Sequence, residues 1–229
     1  MLESSELIGF DTETTGTSTE RDRIVTAALV HRTADGTMTE RTWLINPGVD
    51  IPSAAAAVHG ITTEQAQAEG VDPAQALTEI AADLVDGLGQ GVPVLGFNAA
   101  YDLRILEADL QRHGLPGLAA QLNGEVKPVI DPLVIDRAVD RYRKGKRTLS
   151  DLMGVYGVAQ SDALHDAAVD VRASIAVFDA IVAAYPEVAN KSLDELHGWQ
   201  RLQHRQWAVR LNEFFKSQGR VADVDLTWP

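Results

Sequence analysis

Apolar and β-branched positions open the chain in three runs separated by polar turns. The first, residues 7–16, places Leu7, Ile8 and Phe10 ahead of Thr12, Thr14 and Thr15 and stops at Gly16. Such a run predicts a strand. Residues 24–31 form a second β-rich run, and residues 39–45 a third that closes on Trp43, Leu44 and Ile45. Ala34-Asp35-Gly36 between them is a turn signal, so the three strands are expected to form an antiparallel meander. The period then lengthens. A short helix is expected over 53–58. Asp72-Pro73 reads as an N-cap with proline in the first turn, and Ala76, Leu77, Ile80, Leu84 and Leu88 share one helical face.

The second half alternates short apolar strands with helices. A strand over 92–97 leads to a helix running from Asp102, with Leu103, Leu106 and Leu110 inward and His113-Gly114 as its stop. A strand over 126–130 ends at Asp131-Pro132, and the helix from Leu133 carries Ile135 and Val139. A short helix is expected over 148–156, capped by Thr148. A long one over 166–185 carries Val171, Ile175, Phe178, Ile181 and Val182. Pro186 marks a boundary. Beyond it, Ser192 and Glu195 form a capping box for a polar helix to about Ser217. Its Leu196, Trp199, Leu202, Trp207, Leu211, Phe214 and Phe215 either dock as extra core or form a partner-binding arm. The remaining residues give no clear signal. The expectation is an α/β fold: a mixed five-stranded sheet, three antiparallel strands and then parallel ones, flanked by helices. Residues 1–185 form the domain and 186–229 a C-terminal helical extension.

Composition narrows the function. The 229 residues carry a formal net charge of −13, which argues against a protein that coats nucleic acid by general basicity. One basic run stands out: Arg141, Arg143, Lys144, Lys146 and Arg147 either face solvent or hold phosphates. There is no cysteine, which excludes disulfides, a thiolate nucleophile and cysteine zinc sites. The amino terminus lacks the pattern of a signal peptide and no apolar run reaches the length of a membrane span, so a cytoplasmic protein is expected.

The chemistry lies in a few acids. Asp11 and Glu13 are two apart in the first strand and so share a face. At about 4 Å, two unit charges repel by roughly 4 kcal/mol at an effective dielectric near 20. Hard divalent cations held by carboxylate oxygens would offset that repulsion. Asp102 stands at a helix start, where the dipole favours an anion. His165 opens the long late helix, with Asp170 in its second turn. Taken singly, each residue has an ordinary explanation: an edge strand wetted on one face, a first-turn acid, a capping histidine.

Together, in this order, they carry a resemblance. Phe10-Asp-Thr-Glu-Thr-Thr-Gly16, Val58-His-Gly-Ile-Thr62, Asn98-Ala-Ala-Tyr-Asp102 and Leu164-His-Asp-Ala-Ala-Val-Asp170 resemble the motifs of the DEDDh group of 3′→5′ exonucleases. The similarity is greatest to the proofreading epsilon subunit of bacterial DNA polymerase III and its stand-alone relatives, and covers roughly residues 6–184. It implies a ribonuclease H-like fold. It implies that Asp11, Glu13, Asp102 and Asp170 bind two Mg²⁺ or Mn²⁺ ions, and that His165 is the general base. It further implies substrate contacts from Thr12, Thr14, His59, Asn98 and Tyr101, the last by stacking on a base. Phe97 departs from the pattern, which commonly has His there. The implied substrate is a single-stranded or frayed 3′ end, DNA before RNA. A proofreading role would need a polymerase in trans. The competing readings are an exonuclease of small RNA or mixed substrates, and a catalytically silent binding or scaffold module.

Overall fold

The structure is a computed structural model and describes residue 2, residues 5–159 and residues 166–229. Strands β1 (Leu7–Thr14), β2 (Ile24–Arg32) and β3 (Met38–Leu44) form the expected meander. Strands β4 (Val94–Leu95) and β5 (Val129–Ile130) then add in parallel on the other side of β1. The sheet order is β3-β2-β1-β4-β5, the ribonuclease H-like arrangement that the resemblance implies, with β1 central. The apolar runs at 92–97 and 126–130 yield only two paired residues each. Proline interrupts both: Pro93 and Pro128 lack an N–H and join the sheet only as acceptors, to Ile8 and Val94.

Helices α1 (Ser53–His59), α2 (Thr63–Glu69) and α3 (Pro73–Gly89) precede β4. Helices α4 (Ala99–Arg112) and α5 (Leu118–Leu122) follow it, and α6 (Pro132–Val139), α7 (Leu149–Tyr156) and α8 (Ala167–Ala184) come after β5. Helices α9 (Pro186–Ala189) and α10 (Leu193–Ser217) close the chain. The short α2, α5 and α9 are additions to the pattern read from sequence. The caps fall where local chemistry placed them. Asp72 caps α3 and Asp131 caps α6, while Thr148 and Ser192 form capping boxes with Asp151 and Glu195.

One helix start is corrected. Helix α4 begins at Ala99, one turn before Asp102, after Asn98 adopts a left-handed conformation (φ 65°). The backbone N–H groups of Asn98 and Ala99 both donate to the carboxylate of Asp131, each at 3.1 Å. A remote acid thus replaces the local cap, and no local pattern encodes it.

The sheet separates two apolar layers, as the period of two requires. Ile8 and Phe10 pack with Leu77, Ile80, Leu84, Ile105 and Leu106 of α3 and α4. Leu7, Val30 and Leu95 pack with Val171, Ile175, Phe178 and Ile181 of α8. Gly9 lies on the α8 side, and a Cβ there would overlap the Val171 side chain. Its missing side chain lets α8 lie directly on β1.

Helix α10 covers the outer edge of β5. Gln200 donates to Val129 O (2.9 Å) and accepts from Asp131 N (2.7 Å), while His197 Nδ1 accepts from Val129 N (3.2 Å). Side chains thus complete the edge ladder. Leu196 and Ala208 are buried, whereas Leu202 and Phe214 stay exposed, so the helix docks along one face and leaves the other to solvent. The tail folds back as well. Trp228 is 4% exposed, and its indole donates to Asp131 Oδ2 at 3.3 Å. Among the described residues no helix is long and apolar enough to cross a membrane.

Candidate metal centre

Residues 7, 9, 11 and 13 of β1 alternate onto the α8 side of the sheet. The first two positions lie under the helix, and the last two put Asp11 and Glu13 beside its first turn. There α8 supplies Asp170. Carboxylate oxygens of Asp11, Glu13 and Asp170 all lie within 4.8 Å of one another. Gly9 carries part of this geometry, because it sets how closely α8 approaches. A glycine inside a strand pattern is the sequence signal for such an approach.

Asp102 stands outside that group of three. It is 4% exposed, and its Oδ1 accepts from both the backbone N–H (3.0 Å) and the hydroxyl (2.7 Å) of Thr12. Thr12 therefore spends both donors inside the protein, tying α4 to β1 beside the cluster.

The electrostatics agree. Burial, then the charges of Asp102, Asp170 and Glu13, hold Asp11 well above the usual carboxylate range. Burial, followed by Asp170 and Asp102, pushes Glu13 up to about 7. Burial likewise lifts Asp102 to about 7, against the opposing Thr12 hydrogen bonds. No lysine or arginine contributes to any of these shifts. Three clustered carboxylates and a fourth beside them are a hard-oxygen donor set, which fits Mg²⁺ or Mn²⁺.

The other expected site residues fall around this centre. The Thr14 hydroxyl, the Tyr101 hydroxyl and the Gly16 carbonyl lie 2.6–2.8 Å apart, closing the end of β1 against α4. His59 ends α1, and its Nδ1 accepts from Ile61 N at 3.2 Å. Burial lowers its pKa, partly offset by a hydrogen bond with the Thr14 backbone. It lines a groove of about 300 Å³ with Thr42, Trp43, Ile61 and Asp166. Asn98 is exposed at the turn into α4. His165 lies outside the described residues; the next residue, Asp166, caps α8 by accepting from Ala168 and Val169.

The basic run divides. Arg143 and Arg147 both pair with Asp136, which is fully buried, and Tyr156 donates to its other oxygen at 2.8 Å. These two arginines hold the fold. Arg141, Lys144 and Lys146 remain exposed.

Comparison with known proteins agrees with this picture. No curated protein matches the chain. Among solved structures, E. coli exonuclease I in complex with a dT13 oligonucleotide is similar at a TM-score of 0.67 and 23% identity, over 81% of this chain and 43% of that one. A moderately thermophilic exonuclease I from Methylocaldum szegediense matches at 0.65 and 22%, over 91% and 45%. A zinc-bound E. coli exonuclease I–single-stranded DNA complex matches at 0.65 and 20%, over 90% and 45%. The chain spans less than half the length of these structures, and the likeness is one of fold. Residues 8–178 match the exonuclease family RNase_T. The chain belongs to that family.

Proposed function

We propose that this member of the exonuclease family is a metal-dependent 3′→5′ exonuclease. It removes nucleoside 5′-monophosphates from a single-stranded or frayed 3′ end, with DNA the preferred substrate. The observation that carries this reading is the convergence of Asp11, Glu13 and Asp170 within 4.8 Å, with Asp102 buried next to them. Residues 1–185 are the catalytic unit, and residues 186–229 an extension that supports its outer strand.

Asp11, Glu13, Asp102 and Asp170 would hold two Mg²⁺ or Mn²⁺ ions. Such ions, when bound, supply the positive charge that stabilises the attacking and leaving oxygens of an in-line displacement at phosphorus. The chain's own groups do the rest. Thr12 keeps Asp102 in place. His165, as general base, takes the proton of the attacking water. Thr14 and Tyr101 shape the wall that meets the terminal nucleotide, with His59 and Asn98 at its rim. DNA preference is supported by the motif resemblance and by the oligonucleotide complexes of exonuclease I.

The test is incubation with 5′-labelled single-stranded DNA and RNA, in Mg²⁺ or Mn²⁺ and then in EDTA. Stepwise shortening of DNA that EDTA abolishes is expected. A labelled strand of unchanged length in both metals sinks the proposal and leaves the silent binding module. Replacing His165 by Ala should lower kcat by about 10²–10⁴-fold, the usual range for loss of a general base.

A further inference from the structure

The cations of this chain fall into two populations. Arg32, Arg41, Arg104 and Arg172 each meet a carboxylate, from Asp179, Glu79, Asp225 and Glu40. Arg141, Lys144 and Lys146 of the loop after α6, and Arg205 and Arg210 of α10, make no ion pair among the described residues, while Arg137 of α6 lies in the field of Asp131 and Asp136. Other cations, Arg21 and Arg23 among them, also lack an ion pair among the described residues. In a chain of net charge −13, however, the cations on the loop after α6 and on α10 are exposed and suit an anion from outside.

The side chains between them are aromatic. Gln203, Trp207, Arg210 and Phe214 follow one another at spacings of four, three and four, so they share one face of α10. That face turns towards α6: Val134, Arg137, Ala138, Trp207 and Arg210 line a groove between the two helices. The Arg137 guanidinium lies over the Trp207 ring at 4.0 Å. It is largely buried there, with Asp131 and Asp136 supplying the nearby negative charge, so it fixes the Trp207 ring in place. Phe214, 54% exposed, extends the row. The exposed Leu202 and Val209, seven residues apart, occupy another face, so the row itself mixes charge with rings and is not an apolar strip. Helix α6 is also tied to the start of α4. Asp131 caps α6 and binds the turn at Asn98 and Ala99, one helical turn from Asp102.

We propose that α6, the loop after it and the outer half of α10 form a track for a single-stranded polynucleotide. Its phosphates lie on the exposed Arg141 and Arg210, and its bases stack on Trp207 and Phe214. Cationic grooves with interleaved rings bind single strands in this way whatever their sequence. The track rests on the exonuclease reading, because it delivers a strand to the carboxylate centre.

The experiment is fluorescence anisotropy in EDTA with labelled oligo-dT and oligo-U, across a salt series, for the wild type, Arg210→Glu and Phe214→Ala. Both residues are exposed, and circular dichroism checks that the variants fold. Each change should weaken binding about tenfold, and Arg210→Glu should flatten the slope of log Kd against log salt by roughly one. Comparing the two oligonucleotides separates a shared backbone site from a sugar-specific one. The catalytic reading is measured separately, as hydrolysis of the p-nitrophenyl ester of thymidine 5′-monophosphate with Mn²⁺. A wild type that cleaves the ester, with variants that bind strands unchanged, overturns the track alone. Weakened binding with no ester cleavage keeps the track and removes the catalytic reading. Unchanged strand binding with a wild-type dimer that Arg210→Glu dissociates in sedimentation assigns the face to a second copy, and overturns the proposal.

Discussion

Asp136 and the carboxylates around Asp11 both sit in a medium that penalises charge, yet they meet it differently. At Asp136 the compensation comes from within the chain: Arg143, Arg147 and the Tyr156 hydroxyl take up its oxygens. That cluster is closed. At Asp11, Glu13 and Asp102 no cation pairs with the carboxylate among the described residues, and burial first, with neighbouring acids adding to it, raises their pKa values. A buried charge balanced by its neighbours belongs to the architecture. A group of like charges held together by strand, helix and threonine is a donor set suited to a cation.

The contrast is testable, most sharply by exchange of one carboxylate at each place. Asp11→Asn should abolish nuclease activity while raising the melting temperature of the metal-free protein, since it removes repulsion. Asp136→Asn should do the opposite. Arg147 loses its charge partner and Arg143 keeps only Asp140, and about 3–5 kcal/mol of stability goes with it, read by urea denaturation. If Asp11→Asn melted earlier than wild type, the carboxylate centre would be structural and the comparison would fail.

Next in size is the spacing that makes the cluster. Gly9→Val should push α8 off β1 through Val171 and separate Asp170 from Asp11. A displacement of about 1 Å costs on the order of 10²-fold in rate, measured as kcat on an oligonucleotide. An unchanged kcat would show that the approach of α8 is not set at Gly9.

The smallest effect is in pH dependence. Glu13 and Asp102 rise from ordinary values near 4 to about 7. The folded, metal-free chain therefore holds these protons more tightly than the unfolded chain. Their contribution to stability is full below about pH 4 and is lost as pH climbs through 7. Melting in EDTA should show this decline, with Mg²⁺ restoring stability at pH 8 and adding little at pH 5. Parallel curves with and without metal would argue that the acids do not share a cation.

Much of this was legible along the chain, and the reason is locality. A helix cap needs two residues three apart, so Thr148 with Asp151 and Ser192 with Glu195 announce themselves. The strand period alone puts Asp11 and Glu13 on one face. What was not legible depends on partners distant in sequence. The start of α4 moved because Asp131 reaches back to Asn98. Trp228 stands in a tail without pattern, yet its indole completes the bonding of that same acid. The run from Arg141 to Arg147 reads as uniform charge, and only the fold divides it into arginines that hold Asp136 and cations that face outwards.

By itself, then, the sequence determined the order of elements, most of their ends, and the shared face of Asp11 and Glu13, because those depend on period and near neighbours. Only the tertiary structure decided how closely α8 lies on β1, what fixes Asp102, and which charges are satisfied. Those are matters of contact across the chain, where a missing side chain at Gly9 or a hydroxyl at Thr12 sets positions that no local pattern contains.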